Sequence, residues 1–316
     1  MLGQIVIFIL AVILSWVITF PLVILLNYFR AQQSIRLEGP ASHQSKAGTP
    51  TMAGIGFILA ILILAAIFIN IEIDLRYLAL LILIFAFALI GFLDDFLKIA
   101  RRQNLGLTFW QKLISQIVVA VIFSLFLVWS GQPHLVKDAL ANLGFNNPLL
   151  YCLLASFIVV GASNATNLTD GLNGLLAGCG GIAFLSLVFY CHRMWLGEAS
   201  TFSLIAAGAI LTFLWFNFPK AQVFMGDVGS LAIGAALAGL ALIIHAELRF
   251  IVIGGIFVVE ALSVIIQVTI YKLFKKRVFK MSPLHHHFEL MGIKEKNVVI
   301  GFWLIAAALG LVGALL

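Results

Sequence analysis

Residues 77–98 read YLALLILIFAFALIGFLDDFLK. Between Tyr77 and Phe92 there is no charge, and then Asp94 and Asp95 arrive together, followed by Lys98. An apolar run of this length matches a membrane-crossing helix. On a helix, Lys98 lies four residues beyond Asp94 and three beyond Asp95, so the three side chains share a face. Adjacent carboxylates at a membrane edge repel each other, and are tolerated where water, a lysine or a divalent cation compensates them. Alone, the stretch also reads as a solvated helix end with an exposed ion pair, an arrangement of small energetic worth.

Working outward, similar apolar runs recur along all 316 residues, of which 63% are hydrophobic and 10% charged. Soluble chains average roughly 25% charged residues. The expected fold is an all-α polytopic membrane protein, a single integral membrane domain over residues 1–316. Ten spans fit the hydropathy, at 3–28, 51–70, 76–94, 109–130, 149–165, 173–192, 200–217, 228–246, 250–272 and 297–316. Pro21 is expected to kink the first. That first run is too long for the apolar core of a signal peptide and has no basic stretch before it. Cys152, Cys179 and Cys191 form no CxxC pair and read as small apolar-segment residues, not as a disulfide or zinc framework.

The charges set the topology. One set of connections carries 15 of the 19 Lys and Arg residues and the other carries 4, namely Arg76, Lys137, Arg193 and Arg249. The positive-inside rule puts the first set in the cytoplasm, and ten spans then leave both termini periplasmic. The net charge of +6 therefore reflects topology, with no nucleic-acid partner implied. The basic run from Lys272 to Lys280 also suits anionic membrane lipids.

Five polar clusters fall on the cytoplasmic side. Residues 42–54 read SHQSKAGTPTMAG, small and hydroxyl residues with a lysine before a helix; this suits a phosphate at a helix N-terminus, or equally a loop with threonine caps. The second cluster is Asp94, Asp95 and Lys98, with Arg101, Arg102 and Lys112 following. The third, NATNLTDGLNG at 164–174, can read a polar ligand through its amides and carboxylate, or cap the next helix through Thr169 or Asp170. The fourth, at 215–230, brings Asp227 to the start of a glycine-rich span, where it also suits an N-cap. The fifth, MSPLHHHFEL at 281–290, has three consecutive histidines, which cannot easily all ligate one zinc ion and make better proton donors or phosphate ligands. Five clusters on one face, with carboxylates at Asp94, Asp95, Asp170 and Asp227, point to an active site open to the cytoplasm. Oxygen ligands suit Mg²⁺ better than zinc, and Mg²⁺ with lysines and phosphate-suited loops suits chemistry on a diphosphate.

Five stretches, SHQSKAGTPTMAG, GFLDDFLK, NATNLTDGLNGL, FNFPKAQVFMGDVGS and MSPLHHHFEL, occur in the order found in phospho-N-acetylmuramoyl-pentapeptide transferases, and the chain resembles that family over nearly its whole length. The paired aspartates and the NLTDG stretch are shared with the wider superfamily of polyprenyl-phosphate sugar-1-phosphate transferases; MSPLHHHFEL is more specific to this branch. The resemblance implies attack of undecaprenyl phosphate on the β-phosphorus of UDP-N-acetylmuramoyl-pentapeptide, giving lipid I and UMP for peptidoglycan synthesis, and implies a homodimer. It further implies Asp227 and Asp95 as Mg²⁺ ligands, and Asp94 as the base that deprotonates the lipid phosphate. His285 falls in the catalytic set and His286 near the diphosphate and sugar, while Lys98 and Lys112 meet phosphate charge. Lys46, Thr51, Asn167, Asp170, Gly171, Leu172, Asn217 and Phe224 form the rest of the substrate pocket, with Phe224 offering a face to the uracil.

Two residues depart from the family pattern: Asn173 stands where an aspartate is usual, and Ala53 where a glycine is. Glu260 is ionisable within the ninth span and reads either as functional or as paired inside the bundle. A UDP-N-acetylglucosamine:polyprenyl-phosphate transferase is the nearest alternative, against which MSPLHHHFEL speaks. A transporter would carry its acids at the bilayer centre, whereas here they gather at one face.

Overall fold

A computed structural model describes residues 2–29, 31, 48–71, 74–101, 103, 105–131 and 147–316. Its helices are α1 (Leu2–Tyr28), α2 (Gly54–Phe68), α3 (Leu75–Arg101), α4 (Phe109–Trp129), α5 (Pro148–Thr169), α6 (Leu175–Arg193), α7 (Gly197–Asn217), α8 (Gly226–Ile243), α9 (Glu247–Ile253), α10 (Gly255–Phe274), α11 (Leu284–Leu290) and α12 (Glu295–Leu315). Nine of these are long and apolar enough to cross a membrane. The fold is the expected all-α polytopic membrane protein, and each of the ten expected spans corresponds to a helix.

Two elements differ from expectation. The second span shrinks to the 15 residues of α2, which at ~1.5 Å per residue fall short of the ~30 Å hydrocarbon core. Residues 50–53 make up the lost turn as a buried non-helical segment. Their backbone groups are satisfied by protein, as irregular backbone at membrane depth requires: Thr51 N–H donates to Ala31 O (2.9 Å), Ala53 N–H to Phe224 O (3.1 Å) and Phe224 N–H to Pro50 O (2.8 Å). The expected ninth span starts earlier and is divided at Gly254 into α9 and α10. Pro21 lies inside α1, which continues as one helix to Tyr28.

The centre of the bundle is α8, with 17 of its 18 residues buried, against 5 of 27 in α1 and 4 of 20 in α10. Its sequence, GDVGSLAIGAALAGLALI, explains this, because small side chains let neighbouring backbones approach closely. A methyl group added at Gly91 of α3 would overlap the Asp227 carbonyl, and one at Gly54 of α2 would overlap Gly229. Side-chain hydroxyls tie α5 to the same helix: Ser163 Oγ donates to Leu231 O (3.0 Å) and Thr166 Oγ1 to Ser230 O (2.8 Å). Helices α1, α4 and α10 turn apolar residues such as Ile9, Trp110, Ile122 and Ile265 outward, as lipid contact demands.

Arg193 donates to Ala314 O and Leu315 O, and Arg249 donates to Leu316 O. The C-terminal end thus lies with two of the four basic residues of the sparse set, away from Asp94 and Asp227. Helix α1 runs parallel to α7, with Phe8 beside Gly208 and Val12 beside Thr212, so the start of α1 faces the same way as the start of α7. At that end Glu247 is 4% exposed, and among the described residues neither carboxylate oxygen has a hydrogen-bond partner from another residue.

Candidate active site

The last two turns of α3 deliver Asp94, Asp95 and Lys98 together, the helical spacing putting the ammonium over both acids. Lys98 Nζ lies 2.6 Å from Asp94 Oδ2 and 3.5 Å from Asp95 Oδ1. The third carboxylate comes from the first turn of α8, held beside α3 by the close approach at Gly91. Asp227 does not cap its own helix. Its Oδ2 lies 3.1 Å from Lys98 Nζ and 2.6 Å from Lys112 Nζ, and its Oδ1 accepts from Asn167 Nδ2 at 2.9 Å.

Lys112 reaches the cluster because the start of α4 is fixed by a capping box. Gln111 N–H donates to Thr108 Oγ1 (3.3 Å) and Thr108 N–H to Gln111 Oε1 (2.9 Å). The segment before it folds back on α3, where Leu107 N–H donates to Asp94 Oδ1 at 2.8 Å. Asn167, in the last turn of α5, bridges Asp227 to Ser230 Oγ (2.8 Å). Leu107 and Ser230 escaped the sequence reading. A backbone amide leaves no mark in side-chain identity, whereas Ser230, three residues beyond Asp227 on the same helix, was discoverable by spacing.

Asp94, Asp95 and Asp227 offer oxygens that all lie within 4.8 Å of one another. Asp94 and Asp95 are 3% and 1% exposed, while Asp227 is more open. Asp95 Oδ1 is buried and accepts no hydrogen bond among the described residues. Three carboxylates against two ammoniums leave one uncompensated negative charge. An all-oxygen donor set with an unsatisfied lone pair and surplus negative charge fits a hard divalent cation.

The other expected residues divide by location. Thr51 is 1% exposed with an unpartnered hydroxyl beside Gly226 and Asp95, so it does not act as a helix cap. Asp170 and Thr169 end α5 and do not start α6, whose N-cap is Gly174 at a φ of 78°. A side chain there would meet the Phe218 ring, which gives the glycine a steric as well as a conformational reason. Asn217 is turned inward: Gly174 N–H donates to its Oδ1 (2.6 Å) and its Nδ2 donates to Val223 O (2.8 Å), so it joins two of the polar clusters. Phe224 is half-buried, with its backbone paired to Pro50 and Ala53, and Leu172 is buried. Gly171 abuts the His285 ring. His285 is fully buried; His286 packs against it with ring centroids 4.1 Å apart and meets Glu289 Oε2 at 2.8 Å through Nδ1. His287 instead accepts from Lys280 N–H (3.1 Å) and faces Phe279, within its own loop. Lys46 lies outside the described residues. Asn173 donates its backbone N–H to Glu295 Oε1 (2.8 Å) and its Nδ2 to Pro219 O (3.3 Å); an aspartate there would lose the second bond and add charge near Glu295.

Comparison with known proteins places the chain in a family. The glycosyl transferase family 4 profile matches residues 77–245, which contain all three clustered aspartates and both lysines. The chain is 48% identical over 284 residues to the phospho-N-acetylmuramoyl-pentapeptide-transferase of Shouchella clausii, spanning 89% of this chain and 87% of the relative. It is 47% identical to that of Halalkalibacterium halodurans, spanning 94% and 93%, and 43% identical to that of Bacillus subtilis, spanning 99% and 98%. The chain belongs to the phospho-N-acetylmuramoyl-pentapeptide-transferase family, within glycosyl transferase family 4.

Proposed function

We propose that the chain transfers phospho-N-acetylmuramoyl-pentapeptide from its UDP conjugate to undecaprenyl phosphate, forming lipid I and releasing UMP. The observation that carries this reading is the gathering of Asp94, Asp95 and Asp227 with Lys98 and Lys112 at one end of a lipid-facing bundle. A lipid acceptor arrives from the bilayer and a nucleotide donor from water, and both reach that end. The protein is a multi-pass protein of the bacterial inner membrane, and the distribution of Lys and Arg supports a cytoplasmic position for the cluster.

Asp95 and Asp227 would hold Mg²⁺, with Asp94 in reach of the same ion. When bound, Mg²⁺ neutralises the diphosphate and the charge that builds on it during transfer. Asp94 takes the proton from the acceptor phosphate, whose oxygen then forms a bond to the β-phosphorus as the bond to UMP breaks. Leu107 N–H and Lys98 hold Asp94 in place for this. Lys98 and Lys112 meet negative charge on the transferring and leaving phosphates, a positioned electrostatic contribution. Thr51, Asn167, Asp170, Gly171, Leu172, Phe224 and His286 surround the donor, with Asn217 holding the pocket's loops together. The family resemblance also supports a homodimer through the apolar outer faces of the bundle.

The test is UMP release by the purified protein with undecaprenyl phosphate, offering UDP-N-acetylmuramoyl-pentapeptide and UDP-N-acetylglucosamine separately, each with Mg²⁺ or EDTA. Release from the pentapeptide donor alone, lost with EDTA, is the expected result. Release from the other sugar would move the chain to a sister activity.

A further inference from the structure

Glu260 sits in α10 with its side chain fully buried. Its Oε2 accepts the Leu284 N–H at 2.7 Å and its Oε1 accepts the His285 N–H at 3.1 Å. These two residues open α11, and the leading N–H groups of a helix have no partner within it. The N-cap of α11 is Pro283, which offers no side-chain cap. A carboxylate from a neighbouring helix therefore supplies the cap.

The same carboxylate faces the catalytic-set histidine. Glu260 Oε2 lies 3.2 Å from His285 Nδ1, off the hydrogen-bond line, and both side chains are fully buried. On its other side the His285 ring presses against Gly171 in the NLTDG turn, where any methyl group would overlap Nε2. His285 is thus clamped between α10 and the end of α5, and His286 packs on its face.

We propose that Glu260 is a positioning residue for the transfer reaction: it fixes the first turn of α11 and holds the His285 imidazole against Gly171, so that the histidine pair keeps one orientation toward the donor. This inference rests on the transferase reading, and goes beyond it by giving a role to a residue outside the five clusters.

The test is a double-mutant cycle on purified protein with wild type, Glu260→Gln, His285→Ala and the double variant. The readouts are kcat and KM for the UDP-N-acetylmuramoyl-pentapeptide donor, with melting temperatures alongside. Glu260→Gln keeps the volume but not two acceptors. We expect it to lower kcat about 10- to 100-fold, as misplacement of a reacting group does, with KM changed less than about threefold. In the His285→Ala background the same change should cost less than about twofold, because the two residues act as a unit. Losses that multiply in the double variant, a wild-type kcat in Glu260→Gln, or a rise in KM alone would each overturn the proposal. If Glu260→Gln does not fold, Glu260→Asp takes its place in the same cycle. A wild-type protein inert toward this donor would sink the transferase reading instead. The coupling would then be decided by melting temperatures, with non-additive shifts supporting it and additive shifts refuting it.

Discussion

At the scale of single residues, Asp227 is the junction of the site. Two ammoniums share one of its oxygens and an amide holds the other. Replacing it with asparagine keeps the shape and removes the charge that faces both lysines. Asp227→Asn is expected to cut UMP release by about 10²- to 10³-fold or more, the cost of removing a placed electrostatic group, with helical content by circular dichroism unchanged.

Among the helices, the close seam between α3 and α8 sets the separation of the acids. Alanine favours a helix by up to about 1 kcal/mol over glycine, but at Gly91 its methyl would overlap the Asp227 backbone, and overpacking costs about 1–3 kcal/mol. Gly91→Ala is expected to lower both the melting temperature and turnover. Gly161→Ala, where an added methyl meets nothing within 4 Å, should leave both unchanged or slightly improved. Elements such as these also show what the sequence could convey. Uncharged runs located the long spans, and the spacing of Asp94, Asp95 and Lys98 predicted their shared face. The shortening of α2 was not visible, because Met52 and Ala53 suit a helix, and the segment is drawn out of it by pairing with Ala31 and Phe224. Thr169 and Asp170 suited a helix start by composition, yet Gly174, the one residue there with a left-handed backbone, begins α6. Glu260 was visible as an anomaly, but its partners lie 24 and 25 residues away and depend on how α11 docks.

For the molecule as a whole, the fold places the C-terminal end with Arg193 and Arg249, remote from the acid cluster. Combined with the excess of basic residues on the other face, this leads to the expectation that Leu316 lies in the periplasm. Alkaline phosphatase fused after Leu316 should be active in intact cells, and a fusion after Lys220 inactive; the reverse pattern would invert the topology. The site joins α3 to α8, Asp227 coming 129 positions after Lys98. During synthesis α3 must therefore enter the bilayer long before α8 exists. Its two acids do not make that journey bare. Lys98, at three and four residues' remove on the same helix, is a counter-ion that travels with them. The lysine proposed to meet phosphate in the finished enzyme is thus also an escort for the nascent helix. Lys98→Ala should depress membrane insertion of α3 as an isolated segment, a deficit separable from any loss of turnover.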